Sequence, residues 1–151
     1  PERHIYKTDP TKTCNFNNCC SKEDNPSHQF CYRHQCYKVT ELVCEKLGIP
    51  KEKALVTFQS RLGKDKWMEP YTDATLEGLG KKGIKKLAIV CPAFVSDCLE
   101  TLEEISEEGK EIFLHGGGER FDYIPCLNEK ESWVKVVKTL CEEKLNDFYF
   151  H

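Results

Sequence analysis

A continuous apolar run that passes at once into polar residues constrains this chain more than any other feature of its sequence. The run is KKLAIVCPAF at 85–94, and after Val95 comes SDCLETLEEI at 96–105. The run predicts a strand covered on both faces, and Ser96 or Asp97 predicts the N-cap of a helix that reaches about Glu108. Because strands of this kind belong to sheets flanked by helices, the sequence predicts an α/β fold with a mostly parallel sheet.

Helical and strand patterns alternate through the rest of the sequence. Apolar residues three or four apart predict a helix from about Tyr32 to Leu47, and Gly48 is its stop signal. The glycines of HGGGER predict a turn, because no helix pattern follows them. The other predicted elements are strands at 53–60, 111–117 and 121–127 and helices at 72–79 and 129–145.

The first 31 residues contain turn formers and no hydrophobic period. We therefore divide the chain into a cysteine-rich loop at 1–31 and an α/β domain at 32–151. Order in such a loop must come from cross-links or from a bound metal. The cysteines near it follow the pattern C-x4-C-C-x10-C-x4-C and are Cys14, Cys19, Cys20, Cys31 and Cys36.

Charge and hydropathy exclude several classes of function. The formal net charge is −3, with acids and bases mixed along the chain, so no basic surface for a nucleic-acid partner is expected. No apolar run approaches the roughly 20 residues of a membrane-spanning helix. The start has neither an initiator Met nor the apolar core of a signal peptide, so we expect a cytoplasmic protein and a chain that belongs to a longer one.

Three separated stretches carry a resemblance to a known family. They are TFQSRLGKDKWMEPYTDATLEGLGKKG at 57–83, CPAFVSDCLETLEEI at 91–105 and YIPCLN at 123–128. In this order they resemble the carboxyl-terminal half of ferrochelatase. The resemblance implies a Rossmann-like, chelatase-like half with three layers, in an enzyme (a lyase) of haem biosynthesis that inserts Fe²⁺ into protoporphyrin IX.

The same resemblance implies that part of the active site is missing. In the family the catalytic histidine lies in a His-x-x-Pro stretch, and Pro1 matches the proline that closes it. His4 lies beyond that proline and does not replace the histidine. We therefore expect this chain to be inactive alone and to need the first half, supplied either in cis or as a second chain.

The site residues follow from the family motifs. Inserting iron requires two pyrrole protons to leave and a route for the metal lined by oxygen or nitrogen ligands. Glu100 matches the active-site acid and is expected to accept protons or deliver iron, and Glu104, one helical turn later, is expected on the iron path. Cys98 stands where some members have histidine, and we favour a packing role for it. The expected porphyrin-site residues are Gln59, Ser60, Trp67 and Phe94.

Some ferrochelatases carry a 2Fe-2S cluster, and the cysteine-rich loop resembles an insertion that holds one. Four thiolates satisfy such a cluster, so one of the five cysteines is spare. A zinc site and a loop without metal remain alternatives. The expected ligands are Cys14, Cys20, Cys31 and Cys36, with Cys19 as the alternate.

A function of another class is also compatible with the sequence. In that alternative the chain is a metal-binding or redox module, the cysteine loop is its functional part and the α/β body only supports it. No nucleotide is expected as a cofactor, because HGGGER opens no helix. The terminal FYFH at 148–151 leaves a peripheral membrane contact open as a further expectation.

Overall fold

A parallel pair of strands organises the molecule. In the computed structural model, which describes residues 1–14, 19–21 and 24–149, β1 (Lys86–Val90) pairs with β2 (Arg120–Ile124). The register runs from Lys86 opposite Arg120 to Val90 opposite Ile124, so both strands end at the same edge. The crossover between them consists of a π-helix (Glu100–Glu108) that continues directly into α4 (Gly109–His115).

The remaining elements are mostly helices. Before β1 come α1 (Glu2–Thr8), α2 (Tyr32–Leu47) and α3 (Thr72–Lys81), and after β2 comes α5 (Glu131–Tyr149). Short 3₁₀ helices occupy Cys19–Ser21, Pro26–Phe30 and Lys51–Lys53. The order is that of an α/β protein with a small parallel sheet.

Most predicted elements are confirmed. The α2 helix has the predicted bounds because the Cys31 side chain accepts a hydrogen bond from the His34 amide at its start and Gly48, with φ of 65°, ends it. The helix predicted from Thr72, the two strands β1 and β2 and the final helix are also present. The glycines at 116–118 form the predicted turn before β2.

Five predictions from the sequence are wrong. The helix after β1 is not capped by Ser96 or Asp97, because it begins at Glu100 and its N-cap residue, Leu99, makes no side-chain capping hydrogen bond. Residues 111–117 are not a strand, because 111–115 continue the helix that begins on the π segment. The stretch 53–60 forms only an isolated parallel bridge between Phe58 and Tyr71. The loop at 1–31 contains the helix α1. Side chains of β1 alternate between exposed and half-buried, so the strand is not covered on both faces.

The core lies where α3 meets α4, which also packs against β2. Phe113 on α4 is 0% exposed, and Leu76 on α3 and Ile105 on the π-helix are also buried. The crossing is close because both helices present glycine: a Cβ on Gly80 would lie 2.7 Å from the backbone carbon of Gly116. Glycine is therefore required at this contact for steric reasons.

Two helices leave large apolar side chains in solvent. On α5 these include Val134, Leu140 and Phe148, of which Phe148 is 81% exposed. On α2, Val39, Leu42 and Val43 are also exposed. Contiguous apolar faces of this kind are unusual on a monomeric protein and mark surfaces that another part of a protein covers.

The glycine contact yields a stability test with an internal control. Gly80→Ala places a methyl group against backbone atoms of Gly116 and Phe113, which cannot move aside as a flexible side chain would. We expect a loss of about 1–3 kcal/mol in the free energy of unfolding, measured by urea denaturation. Gly78→Ala lies on the same helix with nothing within 4 Å of its Cβ, so it should be neutral or stabilising by up to about 1 kcal/mol. Equal midpoints for both variants would contradict the close crossing.

Candidate active site

Asp97 joins the two loops that leave the carboxyl edge of the sheet. Its Oδ2 accepts a hydrogen bond from Asn128 Nδ2 at 2.7 Å, and its Oδ1 accepts from the Tyr123 hydroxyl and, at 3.1 Å, from Thr101 Oγ1. The Asp97 amide donates back to Asn128 Oδ1 at 2.9 Å. Because Asp97 follows β1 and Asn128 follows β2, this carboxylate fixes the two loops against each other.

These hydrogen bonds also set the protonation states at the edge. The Tyr123 hydroxyl, followed by Asn128, holds the pKa of Asp97 well below its usual range, against the opposing effect of burial. Burial first, and then the bond to Asp97, raises the pKa of Tyr123 above its ordinary value. At neutral pH the pair is therefore a carboxylate and a neutral phenol.

The candidate acids Glu100 and Glu104 lie on the π-helix, outside the Asp97 network. Its i to i+5 hydrogen bonding is visible where the Gly109 amide donates to the Glu104 carbonyl. Thr101 and Ile105 are buried on one side of the helix, whereas Glu100 and Glu104 are half-buried. Segments of π-helix are rare and often lie at functional sites.

Glu100 is ionised at neutral pH. A hydrogen bond with the Cys98 side chain, followed by one with its own backbone amide, lowers the pKa of Glu100 below its ordinary value, against a smaller opposing effect of burial. Sequence reasoning left the direction of this pKa shift open.

Glu104 meets two residues that are distant in the sequence. Gln59 Nε2 donates to Glu104 Oε2 at 2.9 Å, and Ser60 Oγ donates to the same oxygen at 3.1 Å. Ser60 has a φ of 66°, in the left-handed region that non-glycine residues seldom adopt. The structure thus brings together three of the residues selected from the sequence.

The two aromatic candidates lie apart from these contacts. The Trp67 indole is half-buried and its Nε1 donates to the Leu62 carbonyl at 3.0 Å, and Phe94 is 38% exposed. Among the described residues, no hydrogen bond or ring contact joins Trp67 or Phe94 to Glu100 or Glu104. Their role in binding a flat ligand stays a prediction.

Four of the five clustered cysteines line one small pocket. Its lining consists of Cys14, Cys19, Cys20, Cys31 and Arg33. The sulfurs of Cys14 and Cys19 are 3.8 Å apart, and Arg33 Nη1 donates to the sulfur of Cys20 at 3.8 Å. Cys36 is not among the lining residues, although it was an expected ligand and Cys19 only an alternate.

One thiol of this pocket, that of Cys20, is protonated in the absence of metal. Burial, followed by the neighbouring Cys19, raises the pKa of Cys20 to about 11. In the part of the chain that the structure describes, no three His, Cys, Asp or Glu side chains are arranged so that they could hold a metal ion. The donors are therefore gathered in one place without forming a finished coordination shell.

Two polar side chains shape the loop around the pocket. The buried Asp9 carboxylate accepts hydrogen bonds from the amides of Thr11 and Cys14, each at 2.9 Å. Asn25 Oδ1 accepts from Thr13 Oγ1 at 2.7 Å and from the Ser27 amide at 2.9 Å. Cys14 thus follows a turn held by partly buried hydrogen bonds.

Comparison with known proteins decides the family. The Ferrochelatase family model matches residues 1–145. A ferrochelatase of Pseudomonas fluorescens (strain Pf0-1) is 50% identical over 144 residues, which cover 94% of this chain and 42% of that protein. The chain belongs to the ferrochelatase family.

Other relatives agree in extent as well as in name. The ferrochelatases of Pseudomonas entomophila (strain L48) and Ectopseudomonas mendocina (strain ymp) are each 48% identical, over 144 and 143 residues. This chain covers 43% and 42% of their lengths, so it spans less than half of the ferrochelatases that it matches. No solved structure shows significant similarity to it. No helix in the described ranges is long and apolar enough to cross a membrane.

Sequence reasoning missed part of this candidate site. It considered Asp97 only as an N-cap, whereas the structure places Asp97 in a network with Tyr123 and Asn128. The available signal was that Asn128 follows the strand predicted at 121–127, as Ser96 and Asp97 follow the strand predicted from KKLAIVCPAF. Polar residues after neighbouring parallel strands meet at one edge of a sheet.

The Asp97 network predicts a particular acid dependence. Since the folded pKa of Asp97 is lowered, its hydrogen bonds stabilise the fold above the unfolded pKa of about 3.9, and this stabilisation is lost as the pH falls through the folded value. Asn128→Gly removes one donor and tolerates the φ of 48° at that position. We expect this variant to lose less unfolding free energy than the wild type between about pH 5 and pH 2, measured by urea denaturation.

A second glycine variant controls for the backbone. Lys12 has a φ of 55° and an exposed side chain, so Lys12→Gly makes the same backbone change away from Asp97. It should keep the acid dependence of the wild type. An unchanged acid dependence in Asn128→Gly would show that Asn128 does not lower the pKa of Asp97.

Proposed function

We propose that this chain is the carboxyl-terminal part of a ferrochelatase that inserts Fe²⁺ into protoporphyrin IX. The observation that carries the proposal is the pair of half-buried carboxylates, Glu100 and Glu104, on a π-helix at the carboxyl edge of the sheet in a chain of this family. Ligands of open α/β sheets bind at this edge. Haem biosynthesis is the process that such an activity serves.

The chemistry assigns different tasks to the residues of this edge. Two pyrrole protons must leave as the metal enters, and an efficient proton acceptor has a pKa near the working pH. The lowered pKa of Glu100 makes it a weak base and an available anionic ligand, which favours metal delivery over proton acceptance. The principal proton acceptor is then the family histidine, which the resemblance places outside this sequence.

The porphyrin needs flat apolar walls. Trp67 and Phe94 supply aromatic surface that suits a macrocycle through dispersion and stacking. The resemblance adds Gln59 and Ser60, whose polar atoms are directed at Glu104. Trp67 and Phe94 are proposed as the porphyrin walls of this half, and Gln59 and Ser60 as substrate-site residues that act beside Glu104.

The remainder of the cleft is proposed to come from the part of the family that this chain does not cover. The relatives extend over more than twice its aligned length, and both β1 and α5 expose apolar side chains. These exposures support a three-layer Rossmann-like half, with 32–151 as its domain, whose missing neighbours lie in cis or on a second chain. We place this protein in the cytoplasm, with a peripheral membrane contact through its last residues as a further part of the proposal and without nucleic-acid partners.

The cysteine loop at 1–31 is proposed as an insertion that holds a 2Fe-2S cluster. Four buried or half-buried thiols line one pocket, so the donors fit such a cluster in type and number. Cys14, Cys20 and Cys31 provide three ligands, and Cys19 or Cys36 the fourth. When bound, the cluster supplies one-electron redox chemistry and a cross-link for the loop. Asp9 and Asn25 hold the turns around it.

A chimera tests the catalytic proposal. The preceding part of the Pseudomonas fluorescens ferrochelatase is joined to Pro1, and Fe²⁺ insertion into protoporphyrin IX is followed by absorbance. We expect activity in the chimera, none in the 151-residue chain, and a loss of about 10²-fold or more in Glu100→Gln. Glu103→Gln changes an exposed acid on the same helix and should retain activity. Near wild-type rates in Glu100→Gln would remove Glu100 from the mechanism.

The cluster proposal is tested on freshly purified, anaerobically prepared chain. We expect two irons and two sulfides per chain and, after reduction, the electron paramagnetic resonance signal of a 2Fe-2S centre. Replacing Cys14, Cys20 and Cys31 by serine should abolish it, whereas Cys141→Ser, at an exposed cysteine on α5, should not. Zinc found in the purified chain in place of iron and sulfide would refute the cluster and favour the zinc-site alternative. A cluster without porphyrin binding by the chimera would favour the redox module.

A further inference from the structure

Gln59, Ser60 and Glu104 form a contact that the family assignment alone does not explain. Two donors from one short segment converge on a single oxygen, Oε2 of Glu104, at 2.9 Å and 3.1 Å. The donors lie 45 and 44 residues before the acid in the sequence. Residues that served only the porphyrin would not need to direct their polar atoms at this carboxylate.

The segment that carries the two donors is held in place on both sides. Before it, the Phe58 amide donates to the Pro70 carbonyl at 2.9 Å, and the Phe58 carbonyl accepts from the Thr72 amide at 3.1 Å. After it, Arg61 forms an ion pair with Asp73 and lies 4.2 Å from the centroid of the Tyr71 ring. The beginning of α3 therefore anchors the backbone on either side of Gln59 and Ser60.

Ser60 adopts its left-handed backbone within this anchored segment. Its φ of 66° is costly for a residue with a side chain, and such conformations persist only where the surroundings impose them. Ser60 Oγ still reaches Glu104 from this backbone. The donor is thus presented by a fixed backbone and has little freedom to follow the carboxylate elsewhere.

The two bonds leave the carboxylate unsymmetrical. Both engage Oε2, while no donor among the described residues reaches Oε1. Two fixed donors on one oxygen restrict rotation of the carboxyl group and direct the other oxygen away from Gln59 and Ser60. A carboxylate oxygen held in this way is a preorganised ligand for a divalent cation.

We propose that Gln59 and Ser60 are positioning residues that clamp Glu104, so that its Oε1 is presented to the incoming divalent metal ion. This inference rests on the proposed function and assigns the two residues to the metal substrate, whereas the family resemblance assigned them to the porphyrin site. The clamp contributes by restricting the orientation of the acid before the metal arrives. Loss of either donor leaves the ligand in place but less well aimed.

The kinetic test uses the chimera described above. Gln59→Leu removes the amide donor at similar size, and Ser60→Gly removes the hydroxyl and tolerates the left-handed backbone. Hydrogen bonds to a charged group contribute enough that each variant should raise KM for Fe²⁺ by about 3- to 10-fold, allowing for partial solvent exposure. KM for protoporphyrin should change less than about two-fold, because the clamp does not touch the macrocycle.

A double-mutant cycle separates positioning from a merely structural role. In a Glu104→Gln background the carboxylate is absent, so Gln59→Leu and Ser60→Gly should cause little further change in KM for Fe²⁺. Effects of full size in that background would overturn the clamp, as would a rise in KM for protoporphyrin alone. Thr75→Ala, on α3 beyond the anchored segment, is the control for general disturbance of this region and should leave both KM values unchanged.

A binding measurement keeps this inference distinguishable from the catalytic proposal. Mn²⁺ prefers oxygen ligands and is detected by electron paramagnetic resonance, so the 151-residue chain is titrated with Mn²⁺ without porphyrin. We expect binding that is lost in Glu104→Gln and weakened about 3- to 10-fold in Gln59→Leu and in Ser60→Gly. If Mn²⁺ binding depends on Glu104 but is unchanged in Gln59→Leu and in Ser60→Gly, the clamp is overturned, even if the chimera inserts iron. If both variants weaken Mn²⁺ binding by the 151-residue chain but the chimera does not insert iron, the clamp is supported and the catalytic proposal is refuted.

Discussion

The Asp97 carboxylate is the constraint on which the rest of this edge depends. Two parallel strands bring two loops to one side of the sheet, but strand pairing ends at Val90 and Ile124 and does not fix the loops beyond them. Asp97 completes the connection through Asn128 and Tyr123 and also contacts Thr101 on the first turn of the π-helix. The position of the acids on that helix therefore depends on a polar network several residues away.

The sequence predicts the elements whose signals are local. The α2 helix has clear start and stop residues, β1 is a short apolar segment and β2 alternates charged with apolar or aromatic residues, so their approximate positions follow from patterns alone. The segment 111–117 has a short apolar run that fits either period, and the helix that precedes it decides its conformation against the predicted strand. The segment 53–60 has the composition of a strand but forms only the bridge from Phe58 to Tyr71. Strand formation needs a partner, which composition does not provide.

The sequence offers candidate site residues one by one but not their arrangement. Family motifs selected Gln59, Ser60, Glu100 and Glu104 individually, and no local pattern indicates that Ser60 donates to Glu104 across 44 residues. The cysteine loop shows the same limit. Spacing identified five candidate thiols, whereas the grouping of Cys19 with Cys14, Cys20 and Cys31 depends on turns held by Asp9 and Asn25.

The junction between the π-helix and α4 has a consequence for how this chain tolerates insertions and deletions. A π turn contains more residues than an α turn, so the acid-bearing face at Glu100 and Glu104 is rotated relative to the face through which Phe113 and Gly116 pack on α3. Each residue of an α-helix turns the chain by about 100°. Loss of one residue between 105 and 109 would let the π segment relax to α geometry while α4 stayed packed, and the acids would swing away from the sheet edge. The number of residues between the acids and the packing face of α4 is therefore constrained, as well as their identity.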